Sequence, residues 1–261
     1  NVLHFIDPNG GVEWATVCDW VHPDRRNEVT FLLDTLNTTS NSVLEVGCNV
    51  GGLTSLLASQ GLQVCALDPS KTMINMARNR IEDPEIVRRV TFKELGFSEI
   101  DQLLAQQYGL VVVPSNNFMA VLYPSDQELF LSNISNLLAP GGALVLVNAT
   151  PQLKWLMSDP AVNYHYKDLI KEDGQKLILS TQSDYDDYTQ LGEIRVQAEF
   201  LKKDGVVVKK TIQDISYRLT YVREMSNLLK LCGYSDIKLY GGFNKEPHSK
   251  DSTSMVWVAK L

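Results

Sequence analysis

Between residues 42 and 148 the apolar positions fall in short unbroken runs separated by stretches of helical spacing, which predicts strands alternating with helices. The runs 42–46, 63–67, 90–93, 109–114 and 143–148 read as strands buried on both faces, with 109–114 the most apolar of them. The stretches 24–36, 52–60, 69–80 and 126–138 carry apolar residues three and four apart. They stop at breakers: the polar segment 37–41, Gly61, and Pro140-Gly141-Gly142. Such alternation implies βαβ units, and so an α/β fold with a doubly wound parallel sheet covered by helices on both faces.

Past Pro151 the period changes to two. Segments 176–181, 192–201 and 206–217 alternate polar and apolar residues, and Lys203-Asp204-Gly205 is a hairpin turn signal. Antiparallel strands are predicted there. An amphipathic helix over 223–231, stopped by Gly233, precedes strands at 237–240 and 254–258. The expected layout is an N-terminal cap (1–36), an α/β core (37–150), a small antiparallel insert or lid (151–217), and a C-terminal part (218–261) that completes the core sheet. No internal repeat or low-complexity linker interrupts it.

Composition narrows the partners. Of 261 residues, 44% are hydrophobic and 21% charged, with a net charge of −7, so a phosphate-tracking nucleic-acid surface is not expected. The local run Lys202, Lys203, Lys209 and Lys210 reads as the solvated face of a hairpin. Cys18, Cys48, Cys65 and Cys232 show neither disulfide nor zinc spacing. With no long apolar span and no secretion-type start, the expectation is a soluble cytoplasmic protein without a membrane partner. The first residue is Asn1 rather than Met, which suggests a piece of something longer.

Chemistry enters with Val43-Leu44-Glu45-Val46-Gly47-Cys48-Asn49-Val50-Gly51-Gly52, a glycine turn between the first strand and the first core helix. Open parallel sheets bind ligands at the carboxyl ends of their strands, where glycine lets the backbone come close. Asp68 ends the second strand, in position to accept a ribose's two hydroxyls. A nucleoside-containing ligand follows, and flavin, nicotinamide and S-adenosylmethionine enzymes all use such a turn. Asn49 stands where the dinucleotide pattern needs glycine, which disfavours a nicotinamide-dependent oxidoreductase. Glu45, at the end of a buried strand, needs a cationic partner, and a sulfonium amino acid brings an ammonium group.

These residues, together with Leu67-Asp68-Pro69-Ser70 and Met73, and Leu138-Ala139-Pro140-Gly141-Gly142 before the fifth strand, resemble the motifs of class I S-adenosylmethionine-dependent methyltransferases. The stretches Tyr217-Arg218-Leu219-Thr220 and Tyr240-Gly241-Gly242-Phe243 resemble the ending of small-molecule members with an antiparallel insert. The resemblance implies a Rossmann-like seven-stranded sheet and S-adenosylmethionine as cofactor. It places Glu45, Gly47, Cys48, Asn49 and Gly51 at the methionine end, Asp68 and Pro69 at the ribose, Met73, Gly96 and Phe97 near adenine, and Pro114 beside the cofactor. Two departures stand out: Cys18 occupies a cap position where many relatives have Tyr, and the acidic residue that reads the adenine amino group in the family is not obvious within Lys93-Glu94-Leu95-Gly96-Phe97.

Methyl transfer is an in-line displacement, helped chiefly by alignment, and an alcohol acceptor also needs a general base. His165, within Asn163-Tyr164-His165-Tyr166, is the first candidate base and His22 the second, with packing or surface roles the alternative for both. Asn116, Asn117, Tyr164, Tyr217 and Arg218 are candidate acceptor contacts, while Trp155 and Met157 could belong to a lid or the core. The fourth strand ends without a carboxylate, so transfer to oxygen or nitrogen of a small molecule is expected to be metal-independent. An acceptor tethered to a carrier protein is compatible with an excised synthase domain. A non-catalytic S-adenosylmethionine-binding module is the remaining alternative.

Overall fold

The computed structural model describes residues 11–21, 24–36, 40–103, 107–152 and 156–261. Candidates His22 and Trp155 lie outside the described residues. Seven strands form the main sheet: β1 (Ser42–Val46), β2 (Gln63–Asp68), β3 (Val90–Glu94), β4 (Tyr108–Val113), β5 (Leu138–Ala149), β10 (Asp236–Tyr240) and β11 (Ser254–Lys260). Their order is β10-β11-β5-β4-β1-β2-β3, parallel except for β11, which runs antiparallel to both neighbours. The chain therefore winds outward twice from β1, and the β1–β4 boundary is the switch point where the α/β fold presents a ligand crevice.

Helices cover both faces because each carries one apolar stripe. On one side α6 (Pro124–Leu137), with proline in its first turn, buries Phe130, Leu131 and Ile134 beside Met225 and Leu229 of α7 (Val222–Leu231). The other side holds α2 (Arg26–Thr35) and α3 (Gly52–Ser59), packed on Val43, Val64, Val112 and Val145. The helix α4 (Lys71–Arg80) starts where the Ser70 hydroxyl accepts the Met73 amide at 3.4 Å, and α5 is the short turn Pro84–Val87.

A second sheet, ordered β6-β7-β8-β9, comprises β6 (Tyr164–Ile170), β7 (Lys176–Asp186), β8 (Leu191–Leu201) and β9 (Val207–Arg218), all antiparallel. Its inner face packs Leu177, Leu179, Ile194, Val196 and Ile215 into a third core with Trp14, Val17 and Cys18 of α1 (Val12–Trp20). Two of its elements, α1 and β6, are additions to the pattern read from sequence. α1 is held over the glycine turn by Arg80, whose Nε donates to the Val50 carbonyl at 2.8 Å and whose guanidinium pairs with Asp19.

Close packing of α3 and α4 explains one invariant need of the turn. Gly51 has φ +80°, and a Cβ there would stand 2.7 Å from the Ala77 Cβ. Gly51→Ala should therefore destabilise the fold by roughly 2–4 kcal/mol, strain and overpacking together. Urea unfolding checks it, and a midpoint unchanged from the parent would remove the close approach as a constraint.

Candidate functional site

At the carboxyl end of β1 the chain reverses through Gly47, Asn49 and Gly51, with φ of +88°, +52° and +80°. The amides of Gly47 and Cys48 both donate to the Leu67 carbonyl at 2.8 Å, pinning the turn to β2. Asn49 replaces glycine at low cost because its Oδ1 accepts the Val50 amide at 2.8 Å, a local bond that suits left-handed backbone. The Asn49 amide donates to Asp68 Oδ2 and the Ser70 amide to Asp68 Oδ1, each at 2.9 Å. One buried carboxylate thus joins the glycine turn to the start of α4. Burial pushes Asp68 up to about 6, against the pull of the Ser70 and Asn49 amides.

Beneath the turn lies Glu45, fully buried. The Thr54 hydroxyl donates to its Oε2 at 2.6 Å, while Oε1 has no hydrogen-bond partner among the described residues. Burial raises its carboxyl to about 8, opposed by Thr54 and by Arg25, and supported by the nearby Glu28 and Asp68 charges. Arg25, at the entrance to α2, donates from Nη1 to Glu28 Oε2 and from Nη2 to Ser115 Oγ, both at 2.8 Å. Sequence reasoning missed Arg25 and Glu28. The signal was present: positions 25, 28, 29 and 32 form one helical stripe with Val29 and Leu32, which turns both charges inward.

These groups surround a tight cavity of about 20 Å³, lined by Arg25, Glu45, Gly47, Asn49, Ser115 and Asn117, among others, and covered by Cys18 of α1. That is room for about one water. An unpartnered buried carboxyl oxygen beside a buried arginine is the complement of an amino acid's ammonium and carboxylate. The residues fit the methionine end of S-adenosylmethionine. Asn117 braces this end, its Nδ2 donating to the Gly47 carbonyl at 2.8 Å and the Val46 carbonyl at 3.2 Å.

A second cavity, about 500 Å³, opens past Asp68 between Pro69, Gly96, Phe97, Glu99 and Leu122. Phe97 gives the cavity an apolar wall, and Glu99 accepts the Gly96 amide at 3.0 Å through Oε2. Glu99 lies in the first turn of a 3₁₀ helix, two residues beyond the 93–97 segment. Met73 and Pro114 are buried but line neither cavity: Met73 packs beneath α1, and the Pro114 carbonyl accepts the Asn117 amide at 3.1 Å.

The third cavity, about 340 Å³, lies between the second sheet and the ends of β4 and β5. It brings together Asn116, Tyr164, His165 and Tyr217, four residues anticipated from sequence, with Met119, Thr181 and Ile194, which were not. Asn116 holds the floor: its Oδ1 accepts the Ala149 amide at 2.6 Å, and its own amide donates to the Val147 carbonyl at 2.8 Å. His165 sits on the rim, largely exposed, with Nε2 2.9 Å from Asp168 Oδ1. Hydrogen bonds from Lys176 and His165 hold the Asp168 carboxyl below its usual range. Arg218 stands apart from the cavity lining. Its guanidinium donates to the Thr189 carbonyl at 2.6 Å, to Gln190 Oε1 at 2.5 Å and to Glu224 at 3.0 Å, clamping the β7–β8 turn to α7.

Residues 43–142 match the family described as Methyltransferase domain. The mitochondrial ubiquinone biosynthesis O-methyltransferase of Homo sapiens is 30% identical over 105 residues, 40% of this chain and 27% of that protein, so the chain spans about a quarter of that relative's length. Among solved structures, the CcbJ methyltransferase of Streptomyces caelestis superposes with a TM-score of 0.73 at 19% identity, covering 93% of this chain and 98% of that one. CalS10, an amino pentose methyltransferase of Micromonospora echinaspora with S-adenosylmethionine bound, gives 0.71 at 14% identity, covering 95% and 97%. At those identities the two structures establish a shared fold.

Proposed function

We propose that this chain, whose core is a class I S-adenosylmethionine-dependent methyltransferase domain, transfers the cofactor's methyl group to an oxygen of a small-molecule acceptor. One observation carries the reading: Asn117 lines the cofactor cavity while its neighbour Asn116 lines the acceptor cavity, so the two chambers meet at the end of β4. Bound S-adenosylmethionine supplies a methyl on a positive sulfur that departs as a neutral thioether. Glu45 and Arg25 hold the amino-acid end, Asp68 the ribose, and Phe97 with Glu99 the adenine. Asn116, Met119 and Tyr217 align the acceptor, and the second sheet with α1 keeps water out, which supplies much of the rate by positioning. Ser115, Asn116 and Asn117 stand where a metal-assisted enzyme would gather carboxylates, which supports metal-independent transfer.

His165 takes the acceptor's proton in this proposal. With Nε2 engaged by Asp168, Nδ1 is the nitrogen left to accept it, and the carboxylate stabilises the imidazolium that results. His165→Ala should lower kcat on an alcohol about a hundred-fold, within the range for a lost general base, with cofactor affinity unchanged. Full turnover by the variant would remove His165 from the mechanism. The exposed rim at Met157 and Tyr164 leaves a path for a carrier-tethered acceptor as well as a free one. A nitrogen acceptor is the second reading, favoured by the amino pentose methyltransferase among the structural neighbours. Incubation with methyl-labelled cofactor and matched hydroxyl and amine acceptors, scored for S-adenosylhomocysteine and labelled product, tests the whole reading. Binding of the cofactor without turnover on any acceptor would point to a non-catalytic module instead.

A further inference from the structure

Alternation along β8 and β9 sorts the second sheet's side chains by charge. Arg195 and Asp214 pair at 2.7 Å on its outer face, as do Lys210 and Glu199 at 3.2 Å. Ile194, Val196, Ile215 and Tyr217 turn inward. The acceptor cavity inherits that sorting. No Asp, Glu, Lys or Arg is among its described lining residues. An ionised acceptor would leave water for a lining without Asp, Glu, Lys or Arg among its described residues, a penalty that a neutral one escapes. Met119, Met157 and the tyrosines offer thioether and ring contacts suited to a flat ring. A volume of about 340 Å³ lies at the small end for ligand cavities.

Tyr217 owes its place to a glycine on the neighbouring strand. Gly192 pairs with Tyr217 across β8 and β9, and a Cβ at Gly192 would stand 2.7 Å from Tyr217 Cε1. The phenol end of the ring therefore stands directly against Gly192, and a larger residue there would displace it. Tyr217 stays a neutral phenol over the whole physiological range, because burial and the Asp184 charge push it up to about 12.

We propose that the acceptor is a compact, uncharged aromatic molecule bearing a hydroxyl, seated against Met119, Ile194 and Tyr217, and that Gly192 is the positioning residue that sets its fit. This rests on the methyl-transfer reading above. The test uses the full chain loaded with S-adenosylhomocysteine and calorimetric titration with 2-naphthol, 2-naphthoate, 2-(aminomethyl)naphthalene and uridine diphosphate glucose. 2-Naphthol should bind about ten-fold or more tighter than the three charged probes. Gly192→Ala should weaken 2-naphthol by about ten-fold while leaving S-adenosylhomocysteine affinity unchanged, a split that general destabilisation would not produce. Met157→Lys, at an exposed rim position that does not threaten folding, should shift preference toward 2-naphthoate. Equal or tighter binding of a charged probe, or no binding of 2-naphthol to the loaded protein, overturns the acceptor class. Failure of S-adenosylhomocysteine to bind overturns the methyl-transfer reading instead.

Discussion

Asp68→Ala should weaken S-adenosylmethionine binding by about a hundred-fold or more, roughly 2.7 kcal/mol or above. The carboxylate has two tasks in one place. It accepts the amides of Asn49 and Ser70, each at 2.9 Å, and its remaining lone pairs are those offered to the ribose. Alanine removes the ribose contact and also strands two amides at a buried position, at about 1–3 kcal/mol for each one left unsatisfied. The glycine turn then loses one of its ties to the start of α4, so the amino-acid end suffers with the ribose. Asp68→Asn separates the effects, because one amide oxygen can still accept from one backbone N–H. Its affinity should fall between those of parent and alanine variant. Calorimetry measures both, and an alanine variant that binds with parental affinity would sink the assignment of Asp68.

The centre of the sheet was legible because β1, β2, β4 and β11 are buried on both faces and write nearly unbroken apolar runs, while the helices packed on them write stripes; β3 and β10 at the edges are only part-buried. The turn at Gly47 was legible because its backbone conformation restricts residue choice. The elements that escaped have physical reasons. α1 buries Trp14, Ala15, Val17 and Cys18 on one face, but apolar Val12 lies exposed on the opposite side and no side chain caps its start, so its stripe is blurred and no cap marks it. β6 is an edge strand whose register slips between His165 and Lys167, which breaks the period of two. Arg218 looked like an acceptor contact from its place at the end of the insert. Only the fold shows that Thr189, Gln190 and Glu224 use its donors. Contacts such as Thr181 and Ile194 depend on which face of a strand turns inward at a cavity, and the alternating pattern is the same for an inner face that closes as for one that opens.

The affinity for S-adenosylmethionine should rise with pH, by roughly twenty-fold between about pH 6 and 7.5, while the stability of the ligand-free chain falls over a wider window. The cause is Glu45. Its carboxyl titrates at about 8 in the folded chain, raised chiefly by burial, against an ordinary value of 4.5. Between those values the folded state keeps a proton that the unfolded state has released, so raising the pH favours unfolding until the folded group also ionises. Asp68, raised from 3.8 to about 6, acts in the same direction at the acid end of that window. Together they make the ligand-free chain most favoured below about pH 4 as far as these two groups decide it, with a loss of roughly several kcal/mol as the pH rises toward 8. A ligand's ammonium beside Oε1 reverses the preference, because it stabilises the carboxylate. Binding then releases a proton, and release becomes easier as pH rises. Calorimetry in two buffers of different ionisation enthalpy should count about one proton released near pH 7. Glu45→Gln keeps an oxygen for the Thr54 hydroxyl but has no proton to give, so its proton count should fall toward zero and its stability profile should flatten above about pH 6. The same proton release in parent and variant would place the linkage elsewhere and leave Glu45 without a part in binding the amino-acid end.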